Sequence, residues 1–157
     1  MRAAVGLAVA LATPAALADE AGMRDGLTAC FAGLPRFATV RDALEAKGWS
    51  ARRGADPGEY ELRRPGAEVF VSPGNAYSSP GCTAKSADVS VARAEALLES
   101  ELDRGFAGKW KTAPGYGGSK SWVVAGTGAS LVMYVLGGGD SGDGPGAGVS
   151  LSVRRDN

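Results

Sequence analysis

The chain has 157 residues, with 17 Lys and Arg set against 17 Asp and Glu, 45% hydrophobic residues and no histidine. The charges are interspersed without a basic patch or stripe, which argues against a nucleic-acid binder and against a polybasic membrane contact. Without histidine, Ser-His-Asp and Cys-His nucleophilic machinery has no imidazole base, and the commonest metal ligand and proton shuttle is missing too.

Residues 1–18 read as a secretory signal peptide: Arg2 gives a positive start, Ala3 to Ala12 form an apolar run, and Ala16-Leu17-Ala18 supplies a small-x-small cleavage site before Asp19. A membrane span needs about 20 apolar residues, more than this run or any other stretch offers. The expected product is a soluble periplasmic or secreted protein. Its two cysteines, Cys30 and Cys82, are expected to form one disulfide in an oxidising compartment, with a pair of free thiols as the rival. Two cysteines without histidine cannot complete a zinc shell.

In chain order, Leu27, Cys30, Phe31 and Leu34 fall at helical spacing, so Cys30 points inward. The helical region runs from Asp25 to Lys47 with an interruption at Pro35, where it kinks or restarts, and Gly48 closes it. Strand-like runs follow at Trp49 to Arg53, Glu59 to Arg64, Ala67 to Ser72 and Thr83 to Val89. Between the second and third, Arg64-Pro65-Gly66-Ala67 has Pro and Gly where a type II turn wants them. Counting back from that turn pairs Leu62 with Val69 and Tyr60 with Val71 on one face. Glu59, Glu61, Arg63 and Glu68 lie on the other face, with Phe70 as an apolar exception.

Ser90 is a suitable N-cap for a helix from Val91 to Arg104, whose buried stripe is Val91, Ala94, Leu98 and Leu102, with Gly105 closing it. Four further runs follow: Phe106 to Thr112, Lys120 to Ala125, Ser130 to Leu136 and Gly148 to Arg154. Lys47-Gly48-Trp49 and Arg104-Gly105-Phe106 stand at matching places, and Tyr60 corresponds to Trp122. The chain therefore reads as two copies of one unit, residues 19–89 and 90–157, sharing one compact domain. The expected fold is α+β: a helical segment plus four antiparallel strands, repeated in tandem, with the helices on one face of an eight-stranded sheet. This layout resembles that of the beta-lactamase-inhibitor-like proteins, which also repeat a helical segment plus four strands. Their usual disulfide within each repeat is absent here.

No constellation points to catalysis, and none to a cofactor. Gly139-Asp140-Ser141-Gly142 imitates a protease active-site string but has no histidine base. Gly137 to Gly142 fits G-x-G-x-x-G, yet runs into a strand where a dinucleotide loop must open a helix. Asp140 and Asp143 offer oxygens to a calcium ion, but about six to eight are needed and the closing bidentate Glu is missing. Glu59 with Glu61, and Glu95 with Glu99 and Asp103, read as solvated faces. Trp49, Phe106, Trp110 and Trp122 are expected in the core. Tyr77 and Tyr116 differ, because each lies in a loop of Gly, Ser, Pro and Asn, a composition that recognition loops use.

The functional expectation is a small exported binding or inhibitory protein, not an enzyme, that contacts a protein partner through Tyr77, Tyr116 and Asp140. A carrier of a small apolar ligand and a carboxylate-dependent hydrolase are the alternatives. A closed apolar cavity would favour the carrier. Two facing carboxylates, one of them desolvated, would favour the hydrolase.

Overall fold

The computed structural model describes residues 14–75, 77–115, 119–138 and 144–155. Most of the expected signal peptide, residues 1–13, lies outside them. Helix α1 (Pro14–Ala32) is followed by the short α2 (Val40–Glu45) and by strands β1 (Ser50–Arg53), β2 (Tyr60–Arg64), β3 (Ala67–Ser72) and β4 (Gly81–Ser86). Helix α3 (Val91–Phe106) then leads to β5 (Trp110–Pro114), β6 (Lys120–Ala125), β7 (Ala129–Gly138) and β8 (Gly144–Arg155). All eight strands join one antiparallel sheet in the order β1-β2-β3-β4-β8-β7-β6-β5, an α+β fold.

The first hairpin follows from its turn chemistry. Gly66 takes φ +78 after Pro65, and the resulting register pairs Leu62 with Val69 and Tyr60 with Val71. That register points Ala67, Val69 and Val71 toward the helices, and the same alternation carries Cys82 and Ala84, Val149 and Leu151, Met133 and Trp122 onto that face. Helix α1 packs on β3 and β4, α2 on β1 and β2, and α3 on β7 and β8. Leu97, Leu98 and Leu102 of α3 are buried there, each contributing about 1.5–3 kcal/mol by removal from water. Ser90 caps α3, its Oγ accepting the amide hydrogen of Arg93 at 3.2 Å.

Cys30 and Cys82 are bonded, with Cα atoms 5.8 Å apart and both residues fully buried. The bond ties α1 to β4, which lies between β3 and β8 in the middle of the sheet. Trp49 and Trp122 are buried as expected, while Phe106 and Trp110 are half-buried against the core.

Several boundaries differ from the sequence reading. Pro35 neither kinks nor starts a helix: residues 33–39 form turns in which Phe37 is buried at φ +56, and α2 begins at Val40. Helix α3 continues through Gly105 to Phe106, because Phe106 packs on Phe31 of α1 at 6.1 Å between ring centroids. The left-handed residue is Gly108, at φ +70, so β5 starts at Trp110. Val91 is exposed at the start of α3, and Leu97 and Glu101 are buried instead. Strand β4 ends at Ser86, and the β7–β8 ladder takes in Gly137, Gly138, Gly144 and Ala147.

Candidate functional site

Tyr77 stands on the β3–β4 connection with 99% of its surface exposed, and the backbone around it is held by hydrogen bonds. The Asn75 side-chain oxygen accepts from the amides of Tyr77 (2.7 Å) and Ser78 (2.9 Å), and the Asn75 amide donates to the Ser78 carbonyl at 3.0 Å. This is the local turn that asparagine forms with the backbone two residues on. Gly74 donates its amide to Ser72 Oγ at 3.3 Å and takes φ +72; a Cβ there would meet Pro80 N at 2.6 Å and Ser78 O at 2.7 Å. Pro80 O accepts from Val153 N at 3.1 Å, fixing the exit of the loop to β8. The ring lacks packing partners, yet the backbone that presents it is well held.

The other two expected contact residues, Tyr116 and Asp140, lie outside the described residues. The strands leading to them are described, and they leave the sheet at the end opposite the Tyr77 loop. The register places Ser86 beside Ala147 and Gly81 beside Ser152, so the β7–β8 connection lies with the β2–β3 turn. Ser121 pairs with Tyr134, which puts the β5–β6 connection at that same end. From Ser72 to Ala67 the strand covers about 17 Å, so the Tyr77 loop does not share an end with those two connections.

The expected carboxylate sets are tied up in structural bonds. Glu61 bridges Arg52 and Arg63, and the hydrogen bonds from Arg63 and then Arg52 hold its carboxyl below the usual range. Glu59 accepts from the Asp56 amide at 3.1 Å. Glu95 and Glu99 both face Lys120, at 3.6 and 3.1 Å, and Glu99 accepts from Trp122 Nε1 at 2.9 Å. Asp103 accepts from Trp110 Nε1 at 2.9 Å. Glu101 is buried between α1 and α3, accepting from Thr28 Oγ1 and Arg104, each at 3.2 Å.

One pair of acids was not singled out from the sequence. Asp19 is buried in the second turn of α1, and its carboxyl is held above the usual range by a hydrogen bond with Asp88, by burial and by the Asp88 charge. Its Oδ1 occupies the space that a Cβ on Gly66 would take, so the carboxyl seals the β2–β3 turn.

The sheet face turned away from the helices carries Arg52, Arg63, Lys85, Lys111 and Arg154 at alternating positions, with Glu61 and Glu68. Across its middle one register row runs Phe70, Thr83, Ser150, Tyr134, with Thr83 Oγ1 bonded to Ser150 Oγ at 3.1 Å. The next row runs Glu68, Lys85, Gly148, Leu136. Phe70 is 38% exposed and Leu136 51%. At the end with the β2–β3 turn this face opens into a groove of about 640 Å³, whose lining includes Arg63, Glu68, Lys85, Leu136 and Gly148. Sequence reasoning had noted Phe70 as an exception to its hairpin's pattern and missed the rest.

No family model matches the chain, and neither does any curated protein or solved structure. Among the described residues no helix is long and apolar enough to cross a membrane.

Proposed function

We propose that this chain is a small exported binding or inhibitory protein that engages a protein partner through loop contacts, with Tyr77 as an anchor. One observation carries the reading: a tyrosine with 99% of its surface exposed is presented by a loop whose backbone is fixed by Asn75, Ser72 and Val153. A tyrosine supplies contact area at small entropic cost, and the hydrogen bonds at Asn75, Tyr77 and Ser78 reduce the ordering left for binding. Export by a signal peptide ending at Ala18 is part of the proposal, and the buried Cys30–Cys82 bond supports an oxidising compartment.

The tandem repeat and the inhibitor-like layout belong to the same reading. Their support is the strand order, in which each half contributes a four-strand meander and the two meet at β4 and β8. The alternatives have weaker support. Trp122, Phe37, Met23, Leu27 and Met133 fill the layer between helices and sheet, where a carrier would need space. A hydrolase would have to use Asp19 and Asp88, and the Asp19 carboxyl is packed against Gly66.

The test is Tyr77→Ala in the exported protein, with the partner covalently trapped in the periplasm and identified before affinities are measured. Binding should weaken about tenfold or more, as at interface anchors, while the melting temperature stays within about 1 °C. Unchanged affinity removes this loop from the site. A large fall in melting temperature makes the ring structural.

A further inference from the structure

Within a net charge of zero, the open sheet face keeps an excess of cations. Helices α1, α2 and α3 carry nine carboxylates, Asp19, Glu20, Asp25, Asp42, Glu45, Glu95, Glu99, Glu101 and Asp103, against four cations, Arg24, Arg41, Arg93 and Arg104. The open sheet face has the opposite balance, with five cations against Glu61 and Glu68. On the helix side the excess of carboxylates is largely offset, since Asp19 and Glu101 are buried and Lys47, Arg64 and Lys120 pair with Asp25, Glu95 and Glu99, whereas the uncovered sheet keeps a net positive charge. The same face also displays Phe70 and Leu136, two of the four exposed large hydrophobic residues among the described residues.

Small residues stand between the larger ones: Gly148 separates Lys85 from Leu136, and Thr83 and Ser150 separate Phe70 from Tyr134. Gly148 is buried with the Lys85 stem over it, a Cβ there meeting Lys85 Cγ at 3.1 Å, so a side chain from outside would rest on Lys85 and against the exposed Leu136. Eight strands spaced about 4.8 Å apart and about 20 Å long present about 700 Å², close to the roughly 800 Å² that each partner contributes to a standard protein interface.

We propose that the open face of the sheet receives an acidic surface segment of a protein partner. Its carboxylates would meet Arg63 and Lys85 in the groove in place of Glu68, which both cations contact only loosely, at 3.5 and 3.9 Å, and an apolar side chain would lie between Phe70, Tyr134 and Leu136. This rests on the reading of the chain as a binding protein and names the chemistry of what it binds. Nucleic acid fits less well, because the exposed Phe70 and Leu136 offer a phosphate backbone nothing to bury, and five cations, three of them already paired with Glu61 or Glu68, would release few counterions.

The experiment uses the exported, oxidised protein and a short fluorescein-labelled peptide alternating glutamate with phenylalanine, followed by anisotropy at low and at physiological salt. Saturable binding is expected, weakening with salt, falling about tenfold in Lys85→Glu and in Leu136→Ser, and unaffected by Tyr77→Ala. Both face variants should keep the wild-type melting curve, since both side chains are exposed. Absence of saturable binding, equal binding of a lysine-phenylalanine peptide, tighter binding of duplex DNA, or indifference to both face variants overturns the proposal. A Tyr77 loop that fails its own partner assay while the peptide result holds would separate the two readings, as would the reverse.

Discussion

Removing the Cys30–Cys82 bond should bring the fold to the edge of stability, and the size of the effect follows from where the bond sits. The two cysteines are 52 residues apart in sequence. In the chain-entropy model a loop of that length is worth about 4 kcal/mol through restriction of the unfolded chain. Cys30→Ala with Cys82→Ala also deletes two sulfur atoms from a fully buried site between α1 and β4, adding about 1–2 kcal/mol if the neighbours do not collapse. A single domain has about 5–15 kcal/mol in total, so most of the margin goes.

Urea unfolding followed by fluorescence of the buried Trp49 and Trp122 reads this directly. With a slope of about 2 kcal/mol per molar, the midpoint should fall by about 2.5–3 M in the double variant. A fall under about 0.5 M would refute the account, because it would mean that the unfolded chain is already as restricted without the bond. Because both residues are fully buried, reduction of the folded protein should also proceed no faster than its unfolding. Thiols that appear in dithiothreitol while the tryptophan signal is unchanged would contradict the buried position.

Three further outcomes are expected. Gly66→Ala should cost more than Gly128→Ala, although both glycines have φ +78, because a Cβ at Gly128 meets nothing within 4 Å and at Gly66 it meets the Asp19 carboxylate; melting should show about 1–2 kcal/mol for the backbone alone and a further loss at Gly66. Glu99 is held below the usual range first by the Trp122 indole N–H and then by Lys120, so its charge stabilises the fold above the unfolded carboxylate range and the gain disappears as pH falls through the lower folded value. The melting temperatures of wild type and Glu99→Gln should therefore differ at neutral pH and converge below about pH 4, and a constant gap would point to packing instead. Asp19 has the opposite sign in the uncleaved chain, before cleavage after Ala18 would place an α-ammonium beside it: with its folded pKa raised, the pair disfavours the fold at neutral pH and is relieved by protonation. Asp88→Asn should raise the neutral-pH melting temperature, and the difference should shrink in acid; a lower melting temperature at both pH values would refute the pairing.

What could be read in advance was wherever a local rule fixed a count. Pro65-Gly66 set the turn, the turn set the register, and the register put Tyr60, Leu62, Val69 and Val71 on one face. Lys120 to Ala125 and the cysteine pairing followed from equally local signals. The end of α3 did not, because a glycine after a basic turn normally stops a helix, whereas here the packing of Phe106 on Phe31 accompanies a helix that runs two residues further. Gly137, Gly138 and Gly144 have no side chains to report a strand, so their place in the β7–β8 ladder came from pairing alone. In β7, Leu131, Val132, Met133, Tyr134, Val135 and Leu136 are apolar or aromatic on both sides, and such a run does not say which side the helices will cover. That ambiguity hid the open face, since Val123, Tyr134 and Leu136 could equally have been core, and Val132 on the same face is in fact buried.

The strand order also constrains how a partner can be held. Because β4 and β8 meet antiparallel at the centre, the β3–β4 loop with Tyr77 and the β7–β8 connection leave from opposite ends of the sheet. A small partner seated on the Tyr77 end alone would leave the groove beside Arg63 and Lys85 empty, about 17 Å away along the strands. A partner lying across the open face would cover that groove and reach the Tyr77 end together. The two geometries give different double-mutant cycles. For an end-on partner, Lys85→Glu should leave the affinity near wild type and show no loss of its own. For a partner lying across the face, Tyr77→Ala and Lys85→Glu should each weaken binding, and their losses should add, because contacts more than about 10 Å apart with no shared neighbour are energetically independent. Strong non-additivity between the two would show that one partner segment shifts to compensate at both places, and a rigid face-on arrangement would then be wrong.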